Sequence, residues 1–361
     1  MLQRAFPPPV QQMDGDRTRL AQLALAGLGL LLAAAIVLSL LTGASDASLW
    51  RLVGSWFGAP ADPTLLARDR LVFLDIRLPR LLLGLLIGAG LAVSGVVMQG
   101  LFRNPLADPG LVGVSSGAGL GAVLIIVLGG TVLAPAIAPL GIYGLQVFAF
   151  IGALGTTAIL YKVATRGGQT QVATMLLAGI AIAAIAGAVM GVLIYIASDS
   201  QLRDFTFWSL GSLAGANWQK VVASAPVIGI AALGCFFLWR GLNALTLGEA
   251  TAGHLGVPVE RLKKLAIVAV AAATGASVAV SGGIGFVGIV VPHLLRLVIG
   301  PDHRYLLPAS ALLGAAFLLL ADAVSRTIVA PAELPIGIVT ATVGGPFFLW
   351  ILLRKRGQLA W

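Results

Sequence analysis

PRLLLGLLIGAGLAVSGVVMQGL, residues 79–101, holds one charge, Arg80, in twenty-three positions. As a helix it would run about 34 Å, enough to cross a hydrocarbon core about 30 Å thick. Its Gly84 and Gly88 have the four-residue spacing that lets helices approach closely in lipid. Comparable apolar runs fall at 19–41, 110–129, 143–163, 171–197, 219–240, 264–281, 284–299, 305–326 and 336–353. The pattern predicts an all-α integral membrane protein of ten transmembrane helices, a cytoplasmic N-terminal tail at 1–18 and a ten-span domain over 19–361.

Composition agrees. The 361 residues are 58% apolar and 10% charged, against about 25% charged in a soluble domain. That balance excludes a cytoplasmic enzyme and a disordered chain. A single Cys235 excludes an internal disulfide scaffold.

The net charge of +9 is a topology signal and not a nucleic-acid footprint. With both termini cytoplasmic, fifteen Lys and Arg fall inside and eight outside, as the positive-inside rule requires. The first run, about 22 residues and preceded by Asp14 and Asp16, is too long for a signal-peptide core.

Three connections stand out. The outer loop 42–78 carries Trp50 and Trp56 and reads as short interfacial helices. The outer segment 198–218 puts Leu202, Phe205, Trp208 and Leu210 on one face of a short helix, either an interface anchor or a lid. The inner segment 242–264 fits two short helices joined around Gly253 to Pro258. Its Leu247, Ala250, Leu255 and Val257 are too apolar for a solvated loop and suit a partner.

Catalytic chemistry is missing from the pattern. No Lys precedes a Ser or Thr, so there is no Walker A sequence. His254, His293 and His303 lack metal-ligand spacing and read as structural. The stretch 282–288, GGIGFVG, reads as a close backbone approach. Gly113/Gly117/Gly121 and Gly187/Gly191 repeat the small-residue spacing. Asp322 and Arg326, four apart, can neutralise each other. Ala92-Val93-Ser94-Gly95 recurs as Ala279-Val280-Ser281-Gly282, a weak echo of the inverted repeats of transporters.

The ordered series RLPR at 77–80, GVVMQGLFRNPLADP at 95–109, LGEA at 247–250, LGV at 255–257, GIGFVG at 283–288, PHLLR at 292–296 and ELPIGIVT at 333–340 resembles the FecCD-type permeases of ABC importers for vitamin B12, ferric siderophores and haem. The resemblance implies the type II importer fold, a homodimer, two separate ATPase subunits that bind ATP, and a periplasmic binding protein. It places the subunit in the bacterial inner membrane and implies no bound cofactor. It implies binding-protein docking at Arg77, Arg80 and Arg326. ATPase coupling would involve Gly248, Glu249, Ala250, His254, Leu255, Gly256 and Val257, within helices at about 242–263. The pathway would follow spans five and ten along the dimer axis, with an outer gate helix at about 203–213. Met175, Met190, Tyr195, Phe205, Trp208 and Leu210 are its pathway and gate candidates. The gate sequence favours haem over ferric siderophores, with cobalamin behind. A secondary transporter coupled to ions is the rival, and it would need an unpaired acid within the membrane, which the sequence does not display.

Overall fold

A computed structural model describes residues 17–355 apart from 44, 59 and 61. Residues 1–16 of the expected tail lie outside the described residues. Helices dominate: α1 Thr18–Leu41, α2 Leu49–Trp56, α3 Pro63–Arg70, a π-helical turn Leu71–Arg77, α4 Leu78–Leu101, α5 Val114–Leu128, α6 Ala134–Ile137 and α7 Gly144–Ala164. A two-strand hairpin follows, β1 Thr165–Arg166 with β2 Gln169–Thr170, paired antiparallel. The second half holds α8 Val172–Ile196, α9 Asp199–Ser209, α10 Trp218–Phe236, α11 Trp239–Leu245, α12 Glu249–His254, α13 Val259–Ser281, α14 Val287–Ile299, α15 His303–Thr327 and α16 Ile336–Lys355.

Among the described residues, seven helical segments are long and apolar enough to cross a membrane, and three apolar helices, in α5, α14 and α16, are shorter. Together they coincide with the ten apolar runs of the sequence. The chain is a multi-pass membrane protein.

The core is built on α4 and α13, whose faces are largely buried, with α15 packed along α4 and α1 along α15. Glycine makes the tightest contacts possible. A Cβ on Gly88 would overlap the Gly314 carbonyl of α15, and one on Gly95 would overlap Gly288 of α14. Gly117 and Gly121 likewise meet the backbone of α7. Gly187 and Gly191 meet nothing and lie on open α8 surface.

The short helices have a physical cause. At 13 residues, α14 spans only about 20 Å. The irregular stretch 282–286 leads into it, and Gly282 and Ile284 are buried against protein, where non-helical backbone at membrane depth is tolerated. Similarly, the chain after α4 doubles back, so that Asp108 and Pro109 lie beside Leu91, midway along α4.

Candidate functional site

At one end of the bundle the fold gathers Arg77, Arg80 and Arg326, from sequence positions about 250 apart. The resemblance implies that they dock a binding protein, yet within the subunit each is buried, with 6–7% exposure. The cause is the end of α1. Its last carbonyls have no partner within the helix and attract cations. Arg77 donates to the Leu40 carbonyl and to Ser45 Oγ, at 3.2 Å for the latter. Arg326 donates to the carbonyls of Thr42 at 3.0 Å and Ser39 at 3.2 Å. It also pairs with Asp322 at 3.1 Å. Arg80 meets two carboxylates: Nε and Nη2 donate to Asp322 at 2.9–3.1 Å. Nη1 and Nη2 donate to the two oxygens of Glu333 at 3.0 and 2.9 Å.

Near this cluster lies a junction of three backbones. The helix expected at 203–213 is α9, from Asp199 to Ser209, so it starts earlier and ends sooner than expected. A complete capping box sets its start: the Ser198 hydroxyl accepts from Gln201 N while the Gln201 side chain accepts from Ser198 N. It ends because Gly211 adopts φ 72°. Beyond it, Ser212 N donates to the Ser281 carbonyl at 2.7 Å. A Cβ on Gly337, in the first turn of α16, would overlap the Leu210 carbonyl, and one on Gly282 would overlap that of Trp208. Helix α9, stretch 282–286 and the start of α16 thus meet without intervening side chains.

The pathway candidates divide. Met190 and Phe205 pack with Val123, Val127 and Leu193 between α5, α8 and α9. Met175 is fully buried in the main core. Tyr195, 90% exposed, faces out with Leu177, Ile180 and Val192 on the open side of α8. Trp208 and Leu210 are half-buried, and the Trp208 indole N–H has no hydrogen-bond partner among the described residues.

At the opposite end, the expected joint around Gly253 to Pro258 is present between α12 and α13, whose first turns supply the second helix of the expected pair; a further break at 246–248 separates α11 from α12. Gly248, with φ 103°, makes that turn. Residues 255–258 join α12 to α13. Leu247 and Leu255 are exposed, as are Ala250 and His254, whereas Val257 is half-buried. Glu249, Ala250 and Val257 line a cleft of about 880 Å³ with Arg103, Gln171 and Arg261. Gly256 turns the chain at φ 84°.

Lys263, only 2% exposed, holds this cleft together. Its Nζ donates to Glu249 at 2.7 Å, Glu260 at 3.0 Å and the Thr170 carbonyl at 2.8 Å. One ammonium ties α12, α13 and the hairpin.

The residues matched by the FecCD transport family pattern are 31–354. The chain belongs to the FecCD transport family. Within it, the chain is 52% identical over 288 residues to the hemin transport permease HmuU of Yersinia pestis, covering 80% of this chain and 84% of the relative. It is 47% identical over 281 residues to the cobalamin import permease BtuC of Halobacterium salinarum, covering 78% and 73%. With the vitamin B12 import permease BtuC of Klebsiella pneumoniae, identity is 42% over 339 residues, covering 92% and 94%. A solved structure described as an inward-facing metal-chelate type ABC transporter superimposes with TM-score 0.78 at 35% identity, covering 91% of this chain and 98% of that one.

Three features of this FecCD chain escape a reading by motif. Glu333 lies in the quoted ELPIG stretch, yet nothing in the sequence links it to Arg80. Lys263 is an ordinary loop lysine until three chain segments converge on it. Asp108, which the sequence marks only as a polar residue after the second apolar run, is a half-buried carboxyl within the fold. It lines a cavity of about 270 Å³ with Leu91, Thr274 and Gly285, and its Oδ1 accepts from Gly110 N at 2.8 Å. Where the sequence displays no unpaired acid within the membrane, Asp108 forms no ion pair among the described residues and lies beside Leu91 of α4.

Proposed function

We propose that this chain is the membrane subunit of a binding-protein-dependent ABC importer of haem in the bacterial inner membrane, with both termini cytoplasmic. The observation that carries the reading is the 52% identity to a hemin permease, against 42–47% for the cobalamin permeases. The subunit works as a homodimer around the open face of α8, where Gly187 and Gly191 leave room for a second helix. Two ATPase subunits seat on α11, α12 and their exposed Leu247 and Leu255. ATP then shifts the dimer between outward- and inward-facing states through contacts that differ between the two, the only way a ligand can move such an equilibrium.

A periplasmic binding protein docks over Arg77, Arg80 and Arg326. The pathway holds haem weakly, since none of its candidate side chains is a His: His254 and His303 lie in α12 and the first turn of α15, and His293 is buried within α14 against Phe347. A strong axial ligand in the passage would trap the cargo. The assay is ATP hydrolysis by the assembled importer with its binding protein loaded with haem, ferric siderophore or cobalamin in turn. Haem should stimulate most. Stimulation by cobalamin alone would move the chain to the BtuC-like reading.

A further inference from the structure

We propose that Glu333 is a positioning residue that occupies, in the free permease, the place on Arg80 that a carboxylate of the docking protein takes. The inference rests on the docking reading and deepens it.

Arg80 presents one face to Asp322 and the other to Glu333. The two acids are not equivalent. Asp322 is 1% exposed and shared with Arg326, while the Glu333 side chain is 38% exposed. Glu333 therefore covers Arg80 and is the member of the pair that an incoming group meets first. A bidentate guanidinium–carboxylate contact is planar and specific, so a second carboxylate can replace the first with little change in geometry. The replacement keeps the local charge balance and leaves no buried cation uncompensated.

Displacing Glu333 has a structural consequence. It lies three positions before the first residue of α16, beside Leu334, whose N–H donates to the Ser325 carbonyl at 3.0 Å and whose own carbonyl accepts from the Ser325 hydroxyl. Gly337 sits directly on the Leu210 and Gly283 carbonyls. From Arg80 to the end of α9 the path is thus Glu333, the start of α16, Leu210. Docking by carboxylate exchange loosens the segment 328–335 and frees the first turn of α16 against α9, at the outer mouth of the proposed pathway.

The test uses the full homodimer in lipid nanodiscs, a spin label at Ala332→Cys in a Cys235→Ser background, and the organism's own periplasmic haem-binding protein as the probe. Binding of that protein should mobilise the label. Glu333→Gln should mobilise it without the partner and tighten binding about fivefold, as expected for loss of one partly exposed competing ion pair. Glu333→Asp should behave as wild type, and an unchanged melting temperature separates these effects from misfolding. If Arg80→Gln weakens binding while Glu333→Gln changes neither affinity nor label motion, docking stands and the exchange is refuted. If Arg80→Gln leaves binding untouched, the docking reading itself falls. The wild-type label needs no change at 333, and its immobility on docking would overturn the proposal directly.

Discussion

Replacing Lys263 with Met keeps most of the side-chain volume and removes the ammonium that ties α12, α13 and the hairpin. Three acceptors lose a donor at 2.7–3.0 Å. Removing one partner of a fully buried ion pair costs about 3–5 kcal/mol. Here the Glu249 and Glu260 side chains keep 41% and 36% exposure, so water recovers part of their solvation. Discounting for that screening leaves about 1–2 kcal/mol, a factor of about 5–30 in an equilibrium. The loss falls on the position of α12 and not on the core, because Glu260 keeps its bond from Thr170 N at 2.9 Å. Lys263→Met should therefore weaken ATPase binding to the permease by about that factor in surface plasmon resonance. Transport should slow in parallel, with a melting temperature close to wild type. Lys263→Arg should restore part of the affinity. Wild-type ATPase affinity and transport in Lys263→Met would refute the assignment of this cleft as the coupling seat.

Gly88→Leu places a side chain against the Gly314 backbone, and overpacking of this kind costs about 1–3 kcal/mol or more; a lower melting temperature in detergent checks it. Gly187→Leu should leave that temperature unchanged while raising the monomer fraction in mass photometry, because Gly187 meets nothing within the subunit. The Asp62 carboxyl, which caps α3, is held below its usual range first by the Thr64 hydroxyl. Its contribution is thus fully present above the unfolded carboxylate value, about 3.9, and is lost as pH falls through the lowered one; amide protection over 64–70, corrected for the intrinsic pH dependence of exchange, should be flat from pH 8 to 5 and fall only in stronger acid. Finally, the dimer without its binding protein should show no His- or Tyr-ligated haem spectrum at micromolar haem.

Hydropathy located the ten apolar helices, the short α5 and α14 included, because lipid demands apolar side chains and internally satisfied backbone in every span. The limits of that rule are equally plain at Asp108. Polarity marks it as a loop residue, and only the doubling-back after α4 brings it beside Leu91. The arginines illustrate a second limit. Residues 77, 80 and 326 were legible as a family pattern on one side of the membrane. Their burial was not, since it depends on where α1 ends and on Asp322 and Glu333 arriving from α15 and the loop after it. The apolar character of Leu247 and Leu255 did single out two side chains that the fold leaves exposed, whereas Lys263 beneath them needed three separate segments to converge. Motif spacing finds helices and faces; charge compensation across the fold has no local signature.

The most direct test reconstitutes the permease with its ATPase in liposomes and supplies haem-loaded binding protein outside. Haem uptake is followed with ATP or a non-hydrolysable analogue in the lumen, with and without imposed proton and sodium gradients. Uptake that requires hydrolysable ATP and binding protein, and ignores both gradients, is the predicted result. Uptake driven by a proton or sodium gradient without ATP, and abolished by Asp108→Asn, would contradict it.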